Sequence, residues 1–140
     1  MTTPASAATK PGRPAVLLVD DERELLIALA EGLKSEFALE TAGSAEEAGL
    51  MMASGTYDVL VCDHMLPGEA GLEFLMRMSE RYPDMGRILL TGYMNPELIS
   101  RSVALARLSA CLLKPVKAEA LAAAVRTALG GTDRASPAGS

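Results

Sequence analysis

Val59-Leu60-Val61-Cys62-Asp63-His64-Met65-Leu66-Pro67-Gly68 is the stretch on which the fold turns. It opens on a short apolar, valine-rich run, too short for a helix, that reads as a buried strand. The run stops on a carboxylate, Asp63, and Pro67-Gly68 then turns the chain. An aspartate that ends an inner strand is held at the rim of its sheet, where open α/β folds place their ligands. Asp63 is therefore the candidate nucleophile, and phosphoryl transfer the candidate chemistry.

The same alternation repeats on both sides. Before this strand, residues 15–19 form an apolar run ending in Asp20-Asp21. Helical spacing follows, with Leu25, Leu26, Leu29 and Leu33 on one face and Glu22, Glu31 and Lys34 off it. Residues 37–42 read as a weaker strand. Ser44-Ala45-Glu46-Glu47 then opens a helix to about Ser54, a serine cap with a glutamate three residues on. Gly49 inside that helix costs about 1 kcal/mol relative to alanine, and Gly55 ends it.

After the central strand, a helix is predicted over 71–81 with Leu72, Leu75 and Met76 facing inward. Residues 87–90 are a strand that ends on Thr91-Gly92. Asn95-Pro96 reads as a cap and a first-turn proline, with Leu98, Ile99, Ser102, Val103 and Ala106 beneath. Residues 110–113 form the last strand, ending on Lys114-Pro115. A final helix over 118–129 buries Leu121, Val125 and Leu129 and stops at Gly130-Gly131. Residues 1–13 and 131–140 are polar, small and aperiodic, so they read as a disordered tail and a flexible tail or linker stub around one domain, 14–130.

Composition narrows the function. The chain of 140 residues can bury one core; 49% of it is apolar but only 4% aromatic, so aliphatic residues and methionine must fill that core. A net charge of -5 argues against direct nucleic-acid binding, which needs a basic stripe. No apolar run approaches the roughly 18 residues of a membrane helix, and residues 1–15 lack the apolar segment of a signal peptide. Cys62 and Cys111 fall in separate predicted strands without metal-like spacing, which fits a reduced, cytoplasmic protein.

Five strand–helix repeats imply an α/β fold, a parallel sheet covered by helices on both faces. In any doubly wound order the carboxyl ends of the strands share one rim. That brings Asp20, Asp21, Asp63, Thr91 and Lys114 together from across the sequence. Three carboxylates there repel one another unless a cation sits among them, and all-oxygen ligands with room for water and phosphate suit Mg²⁺. Lys114 supplies a compact positive charge and Thr91 a hydroxyl donor. Phosphoryl transfer asks for positioning and charge neutralisation, which this set provides.

These residues resemble the receiver domain of bacterial two-component response regulators, over about residues 14–130. The matches are Leu17-Leu18-Val19-Asp20-Asp21-Glu22, Asp63 with Leu66-Pro67-Gly68 and Gly71, Leu89-Leu90-Thr91-Gly92, and Leu113-Lys114-Pro115, in the family's order. The resemblance implies a flavodoxin-like five-stranded parallel sheet of order 2-1-3-4-5. It implies that Asp63 accepts a phosphoryl group from a histidine kinase, a histidine phosphotransfer protein or a small phosphodonor. Asp21 and Asp63 would bind Mg²⁺ directly with the backbone carbonyl of Met65, and Asp20 through water, while Thr91 and Lys114 hold the phosphoryl group. It also implies a switched protein-binding surface over about 96–129, a Lys114-Pro115 bond that is often cis, and no enzymatic turnover beyond self-phosphorylation and dephosphorylation. A homodimer stays open, as does excision from a longer protein; with no output domain in the sequence, a protein–protein contact is the expected product.

Two departures stand out. Cys111 sits three residues before Lys114, where the family usually carries Tyr or Phe, and Tyr93 is the candidate substitute on the same surface. Met65 offers no polar side chain to guide a hydrolytic water, which leaves dephosphorylation to the metal or a partner phosphatase. His64, the only histidine, reads as an exposed neighbour of Asp63 rather than an acid or base. Cys62 and Cys111 read as core residues on separated strands, unable to pair, and Met51, Met52, Met76 and Met78 as packing. Two other functions stay open: a receiver-like scaffold that binds without phosphorylation, and a Mg²⁺-dependent aspartyl-phosphate phosphatase. The latter expects a second acid where Met65 stands.

Overall fold

In the structure, a computed structural model, residues 12–93 and 95–131 are described. The tails expected over 1–13 and 131–140 lie almost wholly outside the described residues, as does the side chain of Leu98. The elements alternate strictly: β1 (Ala15–Val19), α1 (Arg23–Leu33), β2 (Ala38–Ala42), α2 (Ala45–Ser54), β3 (Val59–Asp63), α3 (Gly71–Arg81), β4 (Gly86–Thr91), α4 (Pro96–Ala106), β5 (Ala110–Leu113) and α5 (Ala118–Gly131). The strands form one parallel sheet of order β2-β1-β3-β4-β5. No helix among the described residues is long and apolar enough to cross a membrane.

Successive strand residues point to opposite faces, so an inner strand covered on both sides must be apolar throughout. Val16, Leu18, Val59, Val61, Ile88 and Leu90 pack under α1 and α5. Leu17, Val19, Leu60, Cys62 and Leu89 pack on the other face with α2 and α3. Burial of these two layers holds the strand ends in register.

The local signals work largely as the residues dictate. Ser44 Oγ accepts from the amide of Glu47 at 3.0 Å, and Glu47 reaches back to the amide of Gly43 at 2.8 Å. Asn95 Oδ1 accepts from the amide of Glu97 at 2.9 Å, which caps α4 behind Pro96. Gly55 ends α2 in an extended conformation rather than a left-handed one. The Lys114-Pro115 bond is cis.

Three inward faces differ from expectation. α3 buries Gly71, Phe74, Leu75 and Met78, with Leu72 and Met76 only partly covered. Its stripe begins on Gly71, whose lack of a side chain hides the first turn of the pattern and shifts the apparent face by about 100°. In α4, Ser102 and Ala106 are buried while Val103 is exposed, because the stripe centres on the smaller residues where the helix comes close to its neighbours. In α5, Ala128 is buried and Leu129 only partly so, and the helix runs through Gly131.

Candidate functional site

Register explains how the acidic residues meet. Val19 pairs with Cys62, so Asp20, whose amide continues the ladder to Ala42 at 3.1 Å, falls level with Asp63 on the next strand. Neighbouring strands lie about 4.8 Å apart. Oxygens of Asp20, Asp21 and Asp63 accordingly come within 4.8 Å of one another. Asp20 and Asp63 are buried, whereas Asp21 is exposed.

Lys114 arrives from the opposite edge. Its amide donates to Thr91 O at 2.8 Å, which ties the end of β5 to β4. Its Nζ lies 3.0 Å from Glu22 Oε1, 3.2 Å from Asp20 Oδ2 and 3.4 Å from Asp63 Oδ1. One ammonium thus faces several carboxylates. Burial pushes the Asp63 carboxyl above the usual aspartate range, and the charge of Asp20 pushes it further, with Lys114 and the Met65 amide pulling it partly back. Burial disfavours the Lys114 ammonium, but its bonds to Glu22 and Asp20 and the charges of Asp20 and Asp63 outweigh that and raise its pKa.

The donor set fits a hard divalent cation: three carboxylates drawn together, only partly neutralised by one ammonium, with nitrogen and sulfur ligands absent from the cluster.

Two glycines shape the loop after Asp63. Gly68 has φ +83°, the left-handed turn that Pro67-Gly68 foreshadows. A Cβ on Gly71 would lie 1.8 Å from the carbonyl oxygen of Asp63, so only glycine lets α3 start this close to β3. The Gly71 amide donates to His64 O at 2.8 Å. This return of the loop half-buries His64, correcting the expectation of an exposed neighbour, and its Nδ1 is buried without a hydrogen-bond partner. Met65 is 71% exposed.

Thr91 is buried at the same rim, with its hydroxyl engaged locally: Oγ1 accepts from the Tyr93 amide and donates to Tyr93 O, both at 3.2 Å. Tyr93 itself is exposed. Cys111 is half-buried and lies across Leu89 from buried Cys62. An intervening strand therefore separates the two thiols, and both are free.

Two residues escaped the sequence reading. Glu22 was visible in the acidic run, but nothing local signals its contact with Lys114, 92 residues away. Arg87 opens the strand predicted over 87–90, and a lone arginine in Gly86-Arg87-Ile88-Leu89-Leu90 is a signal that apolar spacing leaves unread. Its buried guanidinium has carbonyls as partners: Nε donates to Ala106 O at 2.9 Å and Nη2 to Arg107 O at 3.3 Å, and Nη1 to Tyr82 O and Met85 O. Burial, and then the charge of Arg107, lower its pKa. It ties the carboxyl ends of α3 and α4 together.

The sequence profile described as "response regulator receiver domain" matches residues 16–126. The chain is 38% identical over 114 residues to the hydrogenase transcriptional regulatory protein HoxA of Cupriavidus necator, covering 81% of this chain and 24% of that protein. It is 36% identical over 121 residues to the response regulator protein FleR of Pseudomonas aeruginosa, covering 82% and 24%. The chain thus spans about a quarter of the length of these regulators. Among solved structures it superposes on a signal receiver domain of an HD domain-containing protein from Pseudomonas fluorescens. The TM-score is 0.80 at 32% identity, covering 86% of this chain and 98% of that one. It also superposes on the response regulator TrrA of Thermotoga maritima in complex with Mg²⁺-BeF, at TM-score 0.73 and 30% identity, covering 83% and 99%.

Proposed function

The chain belongs to the receiver domains of two-component response regulators, and on that footing we propose that Asp63 is its phosphoryl acceptor. The observation that carries this reading is the meeting of the Asp20, Asp21 and Asp63 carboxylates within 4.8 Å, with Lys114 Nζ 3.4 Å from Asp63. In this reading residues 14–130 are the domain, and residues 1–13 and 131–140 flank it.

A carboxylate oxygen of Asp63 attacks the phosphorus of a phosphohistidine on a kinase or phosphotransfer protein, or of a small phosphodonor. With phosphohistidine the P–N bond breaks, the imidazole nitrogen keeps the electron pair, and the transfer leaves an aspartyl phosphate. Asp63 is suited to the role by burial, which strips its carboxylate of water before attack. Lys114 steadies the charge on the transferring oxygens. Thr91 donates to one of them once its hydroxyl leaves the Tyr93 backbone. Asp20, Asp21, Asp63 and the Met65 carbonyl would hold Mg²⁺, which supplies charge neutralisation for the phosphoryl oxygens when bound.

Phosphorylation adds charge and acceptor oxygens at the rim, which biases a two-state surface. The region 96–129, with Val103, Leu105 and Leu113 exposed, is the surface proposed to meet a downstream protein, in the cytoplasm. The test is incubation with Mg²⁺ and acetyl phosphate followed by intact mass. One phosphoryl increment that vanishes in Asp63→Asn supports the reading. A chain that stays unmodified, or an Asp63→Asn variant modified equally, overturns it.

A further inference from the structure

Glu22 stands at the position that caps α1, where Ser, Thr, Asp or Asn normally turns an oxygen onto the first free amides of a helix. Its side chain makes no capping hydrogen bond. Oε1 instead lies 3.0 Å from Lys114 Nζ, while the Glu22 amide donates to Asp20 Oδ1 at 2.9 Å. An ammonium has three donors. Those of Lys114 face three carboxylates, Glu22 at 3.0 Å, Asp20 at 3.2 Å and Asp63 at 3.4 Å. Only the contacts to Glu22 and Asp20 are hydrogen bonds, so those two hold the ammonium and an arriving group competes with one of them.

The partners are unequal. The Asp20 side chain is 0% exposed and that of Glu22 62%. A buried carboxylate that loses its cation is left without solvent, whereas an exposed one is taken over by water at little cost. Exchange at Lys114 therefore falls on Glu22.

We propose that Glu22 is a positioning residue for the phosphoryl reaction: it holds the Lys114 ammonium at rest and is the partner given up when a phosphoryl group occupies Asp63. This rests on the reading of Asp63 as acceptor. The exchange breaks one exposed ion pair and forms one to a phosphoryl oxygen, with no proton moved. Glu22 thus competes with the product, and removing it favours the loaded state.

The test compares wild type, Glu22→Gln and Glu24→Gln, titrated with beryllofluoride in saturating Mg²⁺ while the Lys114 ammonium resonance is followed by NMR. Glu24 lies in the first turn of α1 and is not a partner of Lys114, so it controls for the lost charge. Glu22→Gln is expected to shift the Lys114 resonance at rest and to bind beryllofluoride about two- to fivefold more tightly. Its loaded resonance should coincide with that of wild type, and Glu24→Gln should match wild type throughout. Equal or weaker binding by Glu22→Gln overturns the proposal. So does a Lys114 resonance that differs as much loaded as at rest, or the same gain in Glu24→Gln. If wild type itself fails to bind, the acceptor reading falls and this one with it; if wild type binds and Glu22→Gln is indistinguishable, only the role of Glu22 falls.

Discussion

The Asp63 carboxyl is held above its usual pKa by burial first and by the charge of Asp20 second. Such a group binds its proton more tightly in the folded chain than in the unfolded one. Its ionisation therefore costs stability at neutral pH, and the cost fades as pH falls through the folded pKa. In metal-free buffer Asp63→Asn is expected to melt higher than wild type at neutral pH, with the gain shrinking toward acid. Thermal unfolding of both proteins across that range checks this, and a variant that melts lower at neutral pH contradicts the crowded-charge account. The strand-end aspartate was legible in a run of five residues. Its perturbed titration was not, since that depends first on how deeply the fold buries it and then on Asp20 and Lys114, which come from distant parts of the chain.

Elements meet the site through their ends. A methyl group on Gly71 would collide with the carbonyl oxygen of the acceptor residue at 1.8 Å. Gly71→Ala is expected to cost about 3 kcal/mol by urea unfolding and to slow phosphoryl uptake, because the displaced carbonyl belongs to Asp63. At the opposite rim, Arg87 secures the carboxyl ends of α3 and α4 through carbonyls alone. Arg87→Met keeps the aliphatic stem but removes those donors. It is expected to cost about 3 kcal/mol, also read by urea unfolding, while acetyl phosphate still modifies Asp63. The start of α4 was legible from Asn95-Pro96 and the span of α3 from its spacing. The inward face of α3 was not legible, because Gly71 on the buried stripe carries no hydrophobic signal.

Across the whole molecule, the sheet gathers three carboxylates whose mutual repulsion opposes folding. A cation that binds only the folded chain adds about 2.7 kcal/mol at a hundredfold excess over its Kd. The melting temperature is therefore expected to rise with Mg²⁺, and exposed Asp21→Asn to lose most of that rise while buried Asp20 and Asp63 stay in place. Calorimetry with and without the ion measures it; an equal rise in Asp21→Asn counts against these ligands. The sequence by itself determined the strand–helix alternation, the residues at each strand end and their common rim, because hydrophobic periodicity and turn chemistry are local. Strand order came with the family resemblance rather than from the residues. Only the tertiary structure decided that Glu22 takes the ammonium of Lys114, that Arg87 is sealed among carbonyls and that His64 is half-buried. Those outcomes depend on register and helix placement, which bring together groups that no short window of sequence contains.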